Sequence, residues 1–122
     1  MSWNLSKERP IYIQLVEQIK LQILSGHYRP GERFPSVREL ATEAAVNPNT
    51  MQKALAELER EGLVYSQRTA GRFVSDNKEK TDRLQEEMTM ECIKTFVAQM
   101  EKMGYKKEQI IEMLNKYISA NK

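Results

Sequence analysis

The fold is decided by residues 36–51, Ser-Val-Arg-Glu-Leu-Ala-Thr-Glu-Ala-Ala-Val-Asn-Pro-Asn-Thr-Met. Ser36 followed by Glu39 matches the capping box that opens a helix. Asn47 and Pro48 then supply a preferred N-cap and a preferred first helical residue, so a second helix begins directly afterwards. Two short helices with such a brief connection must cross at a steep angle. The stretch therefore predicts a helix-turn-helix whose second helix faces outward.

The flanking sequence extends this motif into a winged domain over residues 1–75. Upstream, Pro10 fits the first turn of a helix, apolar residues follow at helical spacing, and Gly26 is expected to end that helix. Downstream, residues 63–66 and 72–75 are β-favouring runs joined by a glycine-containing loop, which is typical of a hairpin. A hairpin after a helix-turn-helix is a wing.

Residues 76–122 are predicted to form a two-helix dimerisation tail. A polar link over 76–83 is followed by amphipathic patterns over about 79–103 and about 107–120. Two such helices bury little apolar area alone, so the tail needs a partner surface. The predicted dimerisation residues are Leu84, Met88, Ile93, Phe96, Val97, Met100, Met103, Ile110, Leu114 and Tyr117. The alternative is a tail that folds back on its own winged domain and leaves a monomer. The expected fold is thus mostly α with a small β-hairpin.

Composition excludes several classes of protein. The longest apolar run has three residues, which is too short for a membrane span of about 20. The start of the chain lacks a secretory-signal pattern, and one cysteine cannot form an intrachain disulfide, so we expect a cytoplasmic protein. With a single histidine and no nucleophile–base pair, neither a metal site nor an enzyme is expected, and no cofactor is predicted. The net charge of +2 is too small to indicate nucleic acid by itself.

The distribution of polar residues is more informative than the net charge. Helical geometry turns Asn49, Gln52 and Lys53 outward, and amide side chains match the N6/N7 edge of adenine in a major groove. At the start of the preceding helix, Ser36 and Arg38 are expected to lie beside the DNA backbone or to reach a guanine. In the wing, Arg68 and Arg72 are expected to enter a minor groove or contact phosphates. Taken alone, each of these residues is also explained by helix capping or by an ordinary solvated surface. The order of elements, a helix-turn-helix followed by a wing, is what favours DNA binding as the function.

Several segments resemble the GntR family of bacterial transcriptional regulators. The resemblance rests on residues 10–15, 23–26, 30–41 (Pro-Gly-Glu-Arg-Phe-Pro-Ser-Val-Arg-Glu-Leu-Ala) and 58–63. Residues 46–51, Val-Asn-Pro-Asn-Thr-Met, are similar to the turn of the YtrA-type subfamily, whose members also have a short two-helix tail.

The resemblance implies a homodimer that binds a pseudo-palindromic double-stranded DNA operator, usually to repress transcription. It implies DNA contacts from Ser36, Arg38, Asn47, Asn49, Thr50 and Gln52, and from the wing around Gly71, including Thr69. Two departures from the family pattern stand out: Asn47-Pro48 replaces Ser-Arg, and Arg72 enters the usual Gly-x-Gly-Thr-Phe-Val wing motif. The competing function is a winged-helix module for protein–protein contact. Whether a small-molecule effector exists stays open.

Overall fold

The computed structural model describes residues 3–121, and these are mostly helical. Three helices come first, α1 (Ile11–Leu24), α2 (Val37–Ala44) and α3 (Pro48–Arg60). A hairpin of β1 (Val64–Gln67) and β2 (Gly71–Val74) follows, and then α4 (Lys78–Lys102) and α5 (Lys107–Ala120). The chain divides into two compact units, residues 1–84 and 85–122. The predicted fold class, a winged helix-turn-helix with a helical tail, is confirmed.

The core of the first unit lies where α1 and α2 pack against α3. Apolar residues at helical spacing on each helix are buried, so burial on one face holds the three helices together. The largest fully buried side chains are Leu15, Ile19, Leu40, Met51, Leu55, Leu58, Leu63, Val64 and Val74.

Both helix starts in the helix-turn-helix are capped as the sequence predicts. The Glu39 backbone N–H donates to Ser36 Oγ at 3.1 Å, and the Ser36 N–H donates to Glu39 Oε1 at 3.4 Å, which completes the capping box. Asn47 Oδ1 accepts the Asn49 N–H at 2.7 Å. Between the helices, Ala45 adopts the left-handed conformation with φ of 57°. That single residue turns the chain steeply enough for α3 to cross α2.

The wing differs slightly from its predicted limits. Its strands pair antiparallel from Val64 opposite Val74 to Gln67 opposite Gly71, which leaves a three-residue loop. Residues 31–34 add an edge that the sequence patterns do not reveal. The Phe34 N–H donates to the Arg72 carbonyl at 2.8 Å, and the Gly31 N–H donates to the Val74 carbonyl at 2.9 Å. The outer edge of β2 is therefore paired.

The segment before α1 is held by a buried glutamine. Gln14 is 3% exposed. Its amide nitrogen donates to the Ser6 and Arg9 carbonyls at 2.7 and 2.8 Å, and its Oε1 accepts the Ser6 N–H at 2.7 Å. Trp3, which sequence patterns do not place, packs against the core as a partly buried side chain. These bonds satisfy the backbone of a segment that has no regular structure.

The predicted polar link is largely helical, because α4 begins at Lys78. Asn77 supports the helix start, where its Oδ1 accepts the Lys80 N–H at 3.1 Å. Leu84 packs against the core of the first unit. A Cβ on Gly62 would overlap the Lys80 ammonium, so the Lys80 side chain lies over the turn that follows α3. The first unit thus extends to Leu84, beyond the boundary predicted after residue 75.

The second unit contains most of α4 and all of α5. Ile110 is 3% exposed and is the buried residue of α5. Many of the other apolar side chains on these helices are exposed: Met90, Ile93, Met103, Ile111, Met113, Leu114, Tyr117 and Ile118. In the part of the chain that the structure describes, no helix has the length and apolar character needed to cross a membrane.

Candidate nucleic-acid interface

The N-terminal half of α3 presents amide side chains to solvent. Asn49, Gln52 and Lys53 are exposed, whereas Thr50 is half-buried. The exposed three lie opposite the buried face of the helix, as the helical spacing predicts. Asn47 is exposed as well, but its side-chain oxygen already accepts the Asn49 N–H. This bond therefore occupies the Asn49 backbone N–H, and the free backbone N–H groups at this end of α3 lie beyond Asn49.

Lys53 is held beside the start of α1. Its ammonium lies 4.3 Å from the centre of the Tyr12 ring, within the range of a cation–π contact. Tyr12, Asn49, Thr50 and Lys53 also line one shallow depression of about 420 Å³, together with Pro10 and Ile11. The contact restrains an otherwise flexible side chain at the edge of the exposed α3 face.

A second concave surface brings the wing and the start of α2 together. This groove, of about 870 Å³, lies between the hairpin and the capped helix start. It is lined by predicted contact residues from elements that are distant in sequence: Ser36, Arg68, Thr69, Gly71 and Arg72. Arg38 is exposed on α2 but does not line the groove. The groove is open and has arginine, serine and threonine side chains in its lining, as is expected of a surface that follows a sugar–phosphate backbone.

Arg33 is a cationic residue of the groove that sequence reasoning missed. It is exposed, lines the groove and pairs with Phe73 through an isolated β-bridge. A Cβ on Gly71 would lie 3.6 Å from Arg33 Nη2, so the guanidinium is adjacent to the wing backbone. Its position just before Phe34-Pro35 gave no local signal. Only the pairing with β2 brings it to the wing.

Arg72 does not extend freely from the wing. Its side chain is 20% exposed, and its Nε donates to Glu59 Oε1 at 3.3 Å. Ser66 Oγ donates to the same carboxylate oxygen at 2.6 Å. The predicted contact residue is thus turned toward α3, and Arg68 at the wing tip is exposed with no ion pair to another described residue.

The C-terminal half of α3 has its own ion pair. Arg60 Nε donates to Glu57 Oε1 at 3.0 Å, and a second bond joins Arg60 Nη2 to Glu57 Oε2. This hydrogen bonding lowers the pKa of Glu57 below its usual value. The outward Arg60 is therefore already paired with a carboxylate from the preceding turn.

Comparison with known proteins identifies the class to which this arrangement belongs. A family model described as bacterial regulatory proteins, gntR family, matches residues 11–74, which include all three helices of the first unit and the wing. The chain belongs to the GntR family. The HTH-type transcriptional repressor YtrA of Bacillus subtilis (strain 168) is 42% identical over 114 residues, which cover 92% of this chain and 86% of that protein.

Solved structures agree with the GntR assignment. A GntR family transcriptional regulator from Listeria monocytogenes matches with a TM-score of 0.86 and 37% identity, covering 92% of this chain and 98% of that chain. AraR(DBD) in complex with operator ORR3 matches with a TM-score of 0.51 and 31% identity, covering 62% of this chain and 93% of that chain. The resemblance to the YtrA-type subfamily is confirmed. The chain is a DNA-binding transcriptional regulator and not an enzyme.

Proposed function

We propose that this GntR regulator is a homodimeric repressor that binds a pseudo-palindromic operator in the cytoplasm. The repressor assignment is supported by the YtrA relative, which aligns over 92% of this chain. The homodimer is supported by one observation above all. Of the ten exposed large apolar side chains among the described residues, eight belong to residues 85–122. Such a concentration of exposed apolar surface is typical of an interaction site.

The proposed DNA contacts divide into two groups. Asn49 and Gln52 read base edges in the major groove, and Asn47 and Thr50 orient the first turn of α3 against the backbone. The second group contacts phosphate and sugar and consists of Ser36, Arg38, Lys53, Arg68, Thr69 and the backbone of Gly71. Arg33 joins this second group because it is an exposed cation of the same groove.

The proposed dimer surface uses the exposed and half-buried stripe of the tail. From the predicted set it retains Met88, Ile93, Phe96, Val97, Met100, Met103, Leu114 and Tyr117. Leu84 is removed because it packs against the core of its own first unit, and Ile110 is removed because it is already buried. Ile111 and Ile118, which are 60% and 58% exposed, are added.

Selection of bound genomic fragments, followed by affinity measurements on the selected site, tests the proposal. A dimer reading two half-sites about one helical turn apart should lose most of its affinity when one half-site is scrambled. Scrambling the same number of flanking base pairs is the control and should change little. Equal affinity for the full site and a single half-site would contradict the dimeric mode while leaving DNA binding intact.

A further inference from the structure

Arg72 departs from the usual GntR wing pattern, and its surroundings differ from those of an exposed, unpaired cation that is free to bind DNA. Ser66 and Arg72 are direct cross-strand partners, so their side chains share one face of the hairpin. Two positions along, the same face carries Val64 and Val74, which are each 1% exposed. The Arg72 side chain therefore belongs to the face of the wing that covers the core.

Glu59 is the acceptor that holds this face. One of its carboxylate oxygens accepts from both Ser66 Oγ at 2.6 Å and Arg72 Nε at 3.3 Å. Ser66 lies on β1, Arg72 on β2 and Glu59 on the last turns of α3, so one carboxylate connects both strands of the wing to α3. The Arg72 carbonyl is engaged too, since it accepts the Phe34 N–H at 2.8 Å.

We propose that Arg72 is a positioning residue that sets the wing against α3 through Glu59, and that it does not neutralise a DNA phosphate. The Arg72 side chain is 20% exposed and paired with a carboxylate, so its guanidinium would have to give up that partner to bind phosphate. Arg72 would then exchange the Glu59 carboxylate for a phosphate, so the net contribution to the free energy of DNA binding would be small. Arg68, exposed at the tip without such a partner, is the wing cation that neutralises phosphate. The proposal rests on DNA binding by the family and requires neither a dimer nor repression.

Salt dependence separates the two roles, because each neutralised phosphate contributes about 0.9 to the slope of log affinity against log salt. The decisive variant is Glu59→Gln combined with Arg72→Gln in the full chain. It removes one negative and one positive charge and leaves the net charge unchanged. Arg68→Gln is the reference for loss of a wing cation.

We expect the double variant to keep the wild-type slope and to bind DNA about two- to five-fold more weakly, as suits the loss of a partly exposed ion pair. Its wing amides, such as that of Phe34, should exchange hydrogen faster, while the midpoint of thermal unfolding stays close to that of the wild type. Arg68→Gln should lower the slope by about 0.9 per protomer.

Two results would overturn the proposal. A double variant whose slope falls by about 0.9 per protomer would mean that Arg72 contacts phosphate. A double variant with wild-type affinity and unchanged amide exchange would mean that the Glu59 contact positions nothing. An unchanged slope in Arg68→Gln would overturn the role proposed for Arg68, whereas the role of Arg72 is decided by comparing the double variant directly with the wild type.

Discussion

At the scale of single residues, the exposed face of α3 carries side chains suited to base recognition beside one suited to binding DNA of any sequence. Asn49 and Gln52 have exposed side chains that can donate and accept at a base edge, whereas Lys53 can only donate and is restrained by Tyr12. Base discrimination should therefore depend on the two amides. Lys53 should add affinity on any sequence.

We expect Asn49→Ala and Gln52→Ala each to weaken the binding free energy for the operator by about 1–3 kcal/mol, and that for random DNA clearly less. Fluorescence anisotropy with both DNA types measures the difference. Gln22→Ala, a change of the same kind on α1, serves as the control and should leave both affinities unchanged. If Asn49→Ala weakened operator and random DNA equally, Asn49 would not be a base-reading residue.

Residue-scale sequence reasoning succeeded where the partner is local. Ser36 and Asn47 were predicted as caps because a capping bond spans only two or three residues. The Glu59–Arg72 pair spans thirteen residues and depends on how the hairpin lies against α3. No spacing rule encodes that arrangement, so the sequence alone does not predict Glu59 as the partner of Arg72.

At the scale of elements, the connection between α2 and α3 stores strain at one residue. Ala45 has φ of 57°, a conformation that costs an L-residue roughly 1–2 kcal/mol and glycine almost nothing. Glycine also gives the unfolded chain more freedom, which offsets about 0.4–1 kcal/mol of the gain. The balance still favours glycine at this position.

Ala45→Gly should therefore raise the free energy of unfolding by about 0.5 kcal/mol in a urea titration. Ala56→Gly provides the matched control, because Ala56 is an exposed residue inside α3. That change should lower stability by about 1 kcal/mol. The same substitution would thus act with opposite signs, and a loss of stability in Ala45→Gly would show that the turn tolerates alanine without strain.

Helix limits were predictable because capping residues and glycines mark them locally. The predicted tail helix over about 107–120 agrees with α5 at Lys107–Ala120. The edge formed by residues 31–34 was not predictable. A single β-bridge carries no alternation of apolar and polar residues, and the segment reads as a turn.

At the scale of the whole molecule, the tail concentrates apolar side chains that its own unit leaves exposed. Leu114 and Tyr117 are 39% and 66% exposed on α5. If they lie in a dimer interface, a buried carboxylate there would be left without a partner, which is costly. We expect Leu114→Glu and Tyr117→Glu each to shift the full chain toward monomer in sedimentation, and to weaken operator binding.

Leu21→Glu is the control, since Leu21 is 52% exposed on α1 in the first unit. It should leave the sedimentation coefficient unchanged. A wild-type chain that sediments as a monomer would remove the basis of the dimer proposal. Residues 76–83 have a linker-like composition, so the sequence gives no local sign that Leu84 packs against the core of the first unit.

The pairing of residues 31–34 with β2 bears on how the protein behaves when no DNA is present. An unpaired strand edge can template association with another chain, and a two-stranded hairpin is particularly open to this. Here the β2 edge is occupied through the Phe34 and Gly31 amides. The edge of β1 is only four residues long, which limits the number of intermolecular hydrogen bonds it can form. The wing therefore offers other copies of the chain little free backbone with which to pair.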